Sequence, residues 1–225
     1  MPAWTSGNII RPASARGRLS ERAIAALKAA LFVAALLPLA RLAVAAFFNP
    51  EWLGPNPAEF ITRATGDWAL RFLMITLAIT PLRRISGWNA LLRFRRMLGL
   101  FCFFYVLVHV SSYVSFDQVF DVEEIVKDIG KRPFITVGFT SLVLLMPLAA
   151  TSTNAMIRRL GARRWQSLHR LVYLIAPLAV LHFWWMVKRD ITQPAIYALI
   201  LAVLLGYRLR IRVLSSRTRP APARA

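Results

Sequence analysis

Long apolar stretches separated by short polar loops constrain this chain more than any other feature. A helix needs about 20 apolar residues to cross the hydrocarbon core of a bilayer, and somewhat fewer in a compact bundle. Candidate spans of this kind lie at about residues 24–47, 68–82, 97–116, 134–150, 168–187 and 194–212. The second span is the shortest and carries Arg71 near its start. We therefore predict an all-α integral membrane protein with six transmembrane helices.

The composition agrees with a membrane protein and excludes an ordinary soluble domain, since 57% of the 225 residues are hydrophobic. The formal net charge of +19 does not indicate a nucleic-acid partner, because the basic residues lie in clusters between the apolar spans. The expected partner of these clusters is the lipid bilayer. The single cysteine, Cys102, excludes an intrachain disulfide and a thiolate metal cluster.

The distribution of loop charge predicts the orientation of the spans. Basic residues crowd the N-terminal arm, the loop after the second span, the loop before the fifth span and the C-terminal tail. The positive-inside rule places all four segments in the cytoplasm, which requires an even number of crossings. The acidic residues fall almost entirely in the other loops. We predict a cytoplasmic arm at 1–23, a transmembrane domain at 24–212 and a disordered basic cytoplasmic tail at 213–225.

The first span has an alternative interpretation. Ala43-Val44-Ala45 resembles a small-residue cleavage site, so a removed signal peptide is one hypothesis. Arg41 and the length of the apolar stretch favour an uncleaved first helix.

All three histidines, His109, His169 and His182, lie inside or at the edge of apolar spans. An imidazole in hydrocarbon is costly and usually marks a functional site, and ligation of haem by two histidines is the simplest chemistry that needs one there. In the predicted orientation, His109 lies about 18 Å from the start of the third span, and His182 about 20 Å beyond His169. His109 and His182 are therefore predicted to bind one haem iron between them. Hydrogen bonding to a neighbouring helix is the alternative for each histidine.

His169 lies near the predicted cytoplasmic face, where no second histidine is available. Its roles remain open: helix packing, a hydrogen bond to a haem propionate, contact with a flavin or quinone, or ligation of a second haem. Arg95 and Arg96 open the helix that carries His109, and they are candidates to bind haem propionates or a flavin phosphate. Membrane orientation and anionic lipid also explain such arginines.

Several stretches resemble the MsrQ (YedZ) family of haem-binding membrane subunits, which belongs to the ferric-reductase-like transmembrane group. The stretches are TGDWALRFLMITLAITPLRR (65–84), RRMLGLFCFFYVLVHVSSYVSF (95–116), KRPFITVGF (131–139), LAATSTNAMIRRLGARRWQSLHRLVYL (148–174) and HFWWMVK (182–188). The resemblance runs from about residue 24 to residue 212.

The resemblance implies an electron-transfer subunit of the bacterial inner membrane, and not a catalytic subunit. It implies b-type haem and FMN as cofactors, with the quinone pool or a cytoplasmic flavin reductase as the electron donor. The implied acceptor is an MsrP-like periplasmic molybdopterin enzyme that reduces methionine sulfoxide in oxidised proteins.

By position, His109 and His182 match the family's haem-ligand histidines, and His169 matches its third histidine. One haem is therefore expected. A second haem would lack a histidine on the third helix, because the corresponding position there falls near Arg95 and Arg96.

Alternative functions within the same class are a stand-alone ferric reductase and a cytochrome b561-like quinone oxidoreductase. A ferric reductase normally carries its own nucleotide and flavin domain, and none is encoded here, so separate donor and acceptor proteins are expected. From other classes, a small transporter and a cofactor-free assembly protein are the remaining hypotheses. The scarcity of acidic residues within the spans argues against the transporter.

Overall fold

The computed structural model describes residues 20–187 and 190–217, and every regular element in these two ranges is helical. The α-helices of the described ranges are α1 (Glu21–Phe48), α2 (Pro57–Ser86), α3 (Leu92–Ser112), α4 (Val122–Lys131), α5 (Pro133–Ala150), α6 (Asn154–Leu160), α7 (Ala162–Leu168), α8 (Val172–Met186) and α9 (Thr192–Arg217). Short 3-10 turns occupy Pro50–Leu53, Asn89–Leu91 and His169–Leu171, and a π-helical turn at Tyr113–Asp117 extends α3.

Five helical segments in the described part of the chain are long and apolar enough to cross a membrane. They are Glu21–Phe48, Asn89–Asp117, Pro133–Ala150, Ala162–Met186 and Thr192–Leu214. These segments coincide with five of the six predicted spans. The chain is therefore an all-helical, multi-pass membrane protein.

The remaining predicted span is the second one, at 68–82. It corresponds to α2, which is 30 residues long and carries charged residues along its length. The sequence predicted only the apolar segment 68–82, because hydropathy detects residues that face lipid. α2 instead packs against α1, α3, α8 and α9, and Leu70, Leu73 and Leu77 of this helix are buried. Its polar residues are thus tolerated through contacts with other helices.

Local chemistry explains where the helices begin and end. The Ser20 hydroxyl accepts a hydrogen bond from the amide of Ala23 and caps α1, which therefore starts slightly before residue 24. Gly87, with a φ of 72°, ends α2 in the left-handed conformation that favours glycine. α9 continues to Arg217, so the helix extends into the segment that the sequence assigns to the tail. The rest of the predicted arm and tail lies outside the described residues.

The first helix is an integral part of the bundle. The buried Tyr105 hydroxyl donates to the Ala35 carbonyl of α1 over 2.8 Å. The Tyr105 ring stacks on Phe72 at 5.4 Å between ring centres, and Phe72 stacks on Phe101 at 5.6 Å. Aromatic contacts of this kind add to the free energy of burial. α1 is thereby fixed to α2 and α3, and its retention without cleavage stays a prediction.

An arginine on α9 bonds to a carbonyl that a proline has left without its helical partner. Pro81 has no amide proton, so the carbonyl of Leu77 lacks the usual bond within α2. The Arg208 guanidinium donates to that carbonyl through Nη2 over 2.6 Å, and through Nη1 to the Tyr173 hydroxyl of α8. Arg208 therefore connects α9 to both α2 and α8.

Candidate functional site

Two histidines from different helices face each other inside the bundle. The ring centres of His109 on α3 and His182 on α8 lie 6.1 Å apart, and the ring planes are inclined at 76°. Two metal–imidazole bonds of about 2 Å, each extended by roughly 1.2 Å from nitrogen to ring centre, would separate the centres by about 6.4 Å. The observed spacing therefore fits one metal ion bound between the two rings.

Backbone carbonyls determine which ring nitrogen is available. Nδ1 of His109 lies 2.8 Å from the carbonyl oxygen of Thr62 on α2, and Nδ1 of His182 lies 2.7 Å from that of Phe134 on α5. A carbonyl can only accept, so Nδ1 carries the proton in both rings. Nε2 is then the unprotonated nitrogen, with its lone pair available to a metal.

A glycine lies against each of these imidazoles. A Cβ atom at Gly66 would lie 3.1 Å from Nδ1 of His109, and one at Gly138 would lie 2.7 Å from Nδ1 of His182. Each glycine follows its accepting carbonyl by one helical turn: Thr62 precedes Gly66 and Phe134 precedes Gly138 by four residues. The absence of a side chain allows each ring to approach the neighbouring helix closely.

Sequence reasoning gave these glycines and carbonyls no role. Both glycines fall within the stretches that resemble the family, but a glycine in or beside an apolar span has many explanations. The two sites share a pattern, in which a glycine follows the accepting carbonyl by four residues. This pattern indicates a histidine site only when the histidine on the neighbouring helix is known.

His169 lies apart from this pair, thirteen residues before His182, which corresponds to about 20 Å along a helix. Its ring stacks on Trp165 with 3.9 Å between ring centres, and its Nδ1 donates to the Trp165 carbonyl over 3.0 Å. Nε2 lies 3.5 Å from the Ser152 hydroxyl. Trp165 and Ser152 were not predicted as neighbours of this histidine.

His169 lines a cavity of about 460 Å³ at the other end of α3 and α8. The polar side chains in its lining are Thr76, Arg95, Arg96, Ser152, Gln166, His169, Arg170, Tyr173 and Arg212. Arg96 also donates to the side-chain oxygen of Asn154 over 2.5 Å. The two arginines selected from the sequence therefore share a cavity with His169 and lie apart from the His109–His182 pair.

The volume is in the range of small-molecule sites, and the clustered guanidinium groups favour a ligand that carries negative charge. Arg170 and Arg212 were missed because single arginines at the ends of spans are common for topological reasons.

Fold and site together define a class: a multi-pass helical membrane protein with two facing imidazoles at one end of its bundle and a cationic cavity at the other. The family described as ferric reductase like transmembrane component matches residues 65–180, which include His109 and His169, and the match ends two residues before His182.

Close relatives match along most of their length. The protein-methionine-sulfoxide reductase heme-binding subunit MsrQ of Herminiimonas arsenicoxydans is 60% identical over 185 residues, covering 81% of this chain and 84% of the relative. Its counterpart in Polaromonas naphthalenivorans is 52% identical, covering 93% and 91%. That of Rhodospirillum rubrum is 48% identical, covering 97% and 100%. The chain belongs to the MsrQ family.

Proposed function

We propose that the chain is a membrane b-type haem electron-transfer subunit. It passes electrons across the inner membrane to a periplasmic methionine-sulfoxide reductase catalytic subunit, which repairs oxidised periplasmic proteins. The donor is the quinone pool or a cytoplasmic flavin protein. The relatives are heme-binding subunits of a protein-methionine-sulfoxide reductase, which supports the haem and the enzyme system. The resemblance adds FMN and the molybdopterin of the catalytic subunit.

The observation that carries this proposal is the 6.1 Å spacing of His109 and His182, with both Nδ1 atoms bonded to carbonyls. In the described part of the chain, no group of three or more His, Cys, Asp or Glu side chains is placed to hold a metal ion. A metal with two imidazole ligands must then obtain its other ligands from elsewhere. A porphyrin would supply these other ligands, with His109 and His182 as the two ligands from the protein.

The cysteine content bears on the type of haem. Covalent attachment of a c-type haem requires a C-x-x-C-H motif, and this chain has Cys102 alone, which is buried within α3. A haem bound here is therefore held by its axial ligands and by packing, as in a b-type cytochrome.

Each residue of the site has a defined task. When bound, haem supplies one-electron redox chemistry. His109 and His182 would hold the haem iron through their unprotonated Nε2 atoms, and an iron held by two imidazoles would suit electron transfer and not oxygen binding. The Thr62 and Phe134 carbonyls fix the orientation of the rings and raise the basicity of Nε2. Gly66 and Gly138 provide the space that this arrangement needs.

The cavity around His169 is proposed as the site where electrons enter. Its arginines fit a flavin phosphate or a haem propionate, and the unprotonated Nε2 of His169 fits a hydrogen bond or a ligand bond. FMN, a quinone headgroup and a second haem are all compatible with His169, Arg95 and Arg96 in the lining. For a second haem, the described lining offers one histidine.

The proposed topology has six crossings with both termini in the cytoplasm. α2 is the sixth crossing, because its 30 residues extend about 45 Å, which exceeds the thickness of the hydrocarbon core. This topology places the cavity on the cytoplasmic side and the His109–His182 pair on the periplasmic side, in the order that electron transfer to a periplasmic acceptor requires.

The test is a dithionite-reduced minus oxidised optical spectrum of the detergent-purified protein and of His109→Ala, His182→Ala and His169→Ala. Sharp b-type bands that are lost in the first two variants and kept in the third support the assignment. Partial loss in His169→Ala indicates a second haem. A well-folded wild-type protein without haem bands after haem supplementation overturns the proposal.

A further inference from the structure

The segment between α3 and α5 presents apolar side chains that the bundle does not cover. Val122 and Val126 of α4 are 70% and 64% exposed. Phe116, in the last turn of the segment that includes α3, is 50% exposed, and Val119 and Phe120, in the turn before α4, are 76% and 69% exposed. These five residues are called the apolar stripe below. Exposed apolar groups that cluster within one short segment indicate an interaction surface.

α4 has three distinct sides. Asp128 faces the protein: its carboxylate accepts hydrogen bonds from the Tyr113 hydroxyl over 3.0 Å and the Gln118 amide over 2.7 Å. Glu123 and Lys127 lie one turn apart on a second, polar side of the helix, where they form an exposed ion pair at 2.9 Å. The third side, with Val122 and Val126 also one turn apart, lies between these two. A helix that contacts protein, water and lipid at once needs three sides with these different properties.

The position of α4 along the bundle matches the membrane boundary. The membrane-crossing segment that includes α3 ends at Asp117, and the next begins at Pro133. Arg132 alone separates α4 from α5, and the Thr136 hydroxyl of α5 donates to the Ile129 carbonyl of α4. α4 is therefore held at the level where the bundle leaves the hydrocarbon core. Phe116 lies in the last turn of this crossing segment, so the stripe begins within the segment that is apolar enough to cross the membrane.

The backbone before α4 has an unusual conformation. Val119 and Phe120 have φ values of 47° and 62°, in the left-handed region that β-branched and bulky residues rarely adopt. Strain of this kind persists where surrounding interactions fix the conformation. Here it orients two exposed apolar side chains, an arrangement that water disfavours and a lipid interface favours.

We propose that α4 and the turn before it form an interfacial anchor, in which the apolar stripe inserts into the lipid headgroup region at the His109–His182 end of the bundle. The anchor is a property of the fold and does not depend on the proposed electron-transfer function.

Site-directed spin labelling of the haem-loaded full chain tests this proposal. The protein is placed in nanodiscs of phosphatidylethanolamine and phosphatidylglycerol. Cys102→Ser removes the single native cysteine, and labels are attached at Val122→Cys and Val126→Cys, with Glu123→Cys and Lys127→Cys as matched controls on the same helix. Unchanged haem absorbance verifies the fold of each variant.

The ratio of collisions with oxygen to collisions with a water-soluble nickel chelate is expected to be several-fold higher at 122 and 126 than at 123 and 127. Similarly low ratios at all four positions would mean that water covers the stripe. Protection of 122 and 126 from both reagents would mean that protein covers it, either a second copy or a partner. Either of these results overturns the proposal.

Discussion

His109 and His182 bond through Nδ1 to carbonyl oxygens of two different helices, at 2.8 Å and 2.7 Å, while their ring centres lie 6.1 Å apart. The same three-part arrangement, with carbonyl, glycine and histidine, thus occurs once between α2 and α3 and once between α5 and α8. Both imidazoles are oriented by helices that do not carry them. We therefore expect the site to be sensitive to substitutions on α2 and α5 that leave both histidines in place.

Gly138→Ala is expected to weaken haem binding at the His109–His182 site. The added Cβ atom would lie 2.7 Å from Nδ1 of His182, a distance that forces the ring or the helix to move. The same change at Gly66 produces a distance of 3.1 Å and should have a smaller effect. The measurement is haem content per protein, with the bandwidth of the reduced spectrum as a second readout.

Gly206→Ala is the matched control, because a Cβ atom at this helical position meets nothing within 4 Å. It should leave the haem content unchanged and favour the helix by about 0.5–1 kcal/mol. Equal haem content in Gly138→Ala and Gly206→Ala would contradict the role of the glycine in seating His182.

Free haem should stabilise the apoprotein through the two histidines. A ligand present at 100 times its dissociation constant stabilises the folded state by about 2.7 kcal/mol. Adding haem to the apoprotein in detergent should therefore raise the melting temperature by several degrees. The double variant His109→Ala/His182→Ala should show a much smaller rise. An equal rise in both proteins would indicate that haem binds elsewhere, with His169 as the first residue to examine.

The sequence predicted the membrane class and five of the spans because lipid-facing residues must be apolar, and hydropathy measures that requirement directly. It underestimated the length of α2, because this helix packs against other helices and not against lipid alone. Leu73 and Leu77 of α2 belong to the buried core. Burial among helices tolerates charges such as Arg71, which bonds to Tyr197 of α9 at 3.2 Å. That contact depends on tertiary structure and leaves no periodic signal in the sequence.

Only part of the candidate site could be predicted from the sequence, for a similar reason. Histidines in apolar spans are rare enough to be noticed singly, so His109 and His182 were identified from the sequence. Their supports are a backbone carbonyl, which every residue has, and a glycine, which occurs in many helices. Arg95 and Arg96 were identified, but their association with His169 depends on how α3 packs against α5 and the segment before α8.

Arg95→Gln and Arg96→Gln should lower the FMN content of the purified protein if the cavity holds the flavin phosphate. Removing a guanidinium removes a charge-assisted hydrogen bond, which costs about 1.5–3 kcal/mol. Retention of FMN should therefore fall roughly tenfold or more. Haem bands from the His109–His182 site should not change, because that site lies at the other end of α3. Arg84→Gln, in the exposed last turn of α2, is the control.

Loss of haem without loss of flavin in the Arg95 or Arg96 variant would assign these arginines to a haem propionate. Full retention of both cofactors in both variants would mean that these arginines bind neither cofactor. Their role would then be to orient the helix in the membrane through contact with anionic lipid.

Arg208→Met should destabilise the bundle because it removes the partner of the Leu77 carbonyl. Pro81 deprives that carbonyl of its helical hydrogen bond, and Arg208 provides the replacement at 2.6 Å. A buried acceptor left without a partner costs about 1–3 kcal/mol, which thermal unfolding in detergent can resolve. Pro81→Ala restores an amide at position 81, so the double variant Arg208→Met/Pro81→Ala should lose less stability than the sum of the two single changes. Additive effects in this cycle would show that Arg208 stabilises the bundle through Tyr173 alone, without a contribution from the carbonyl.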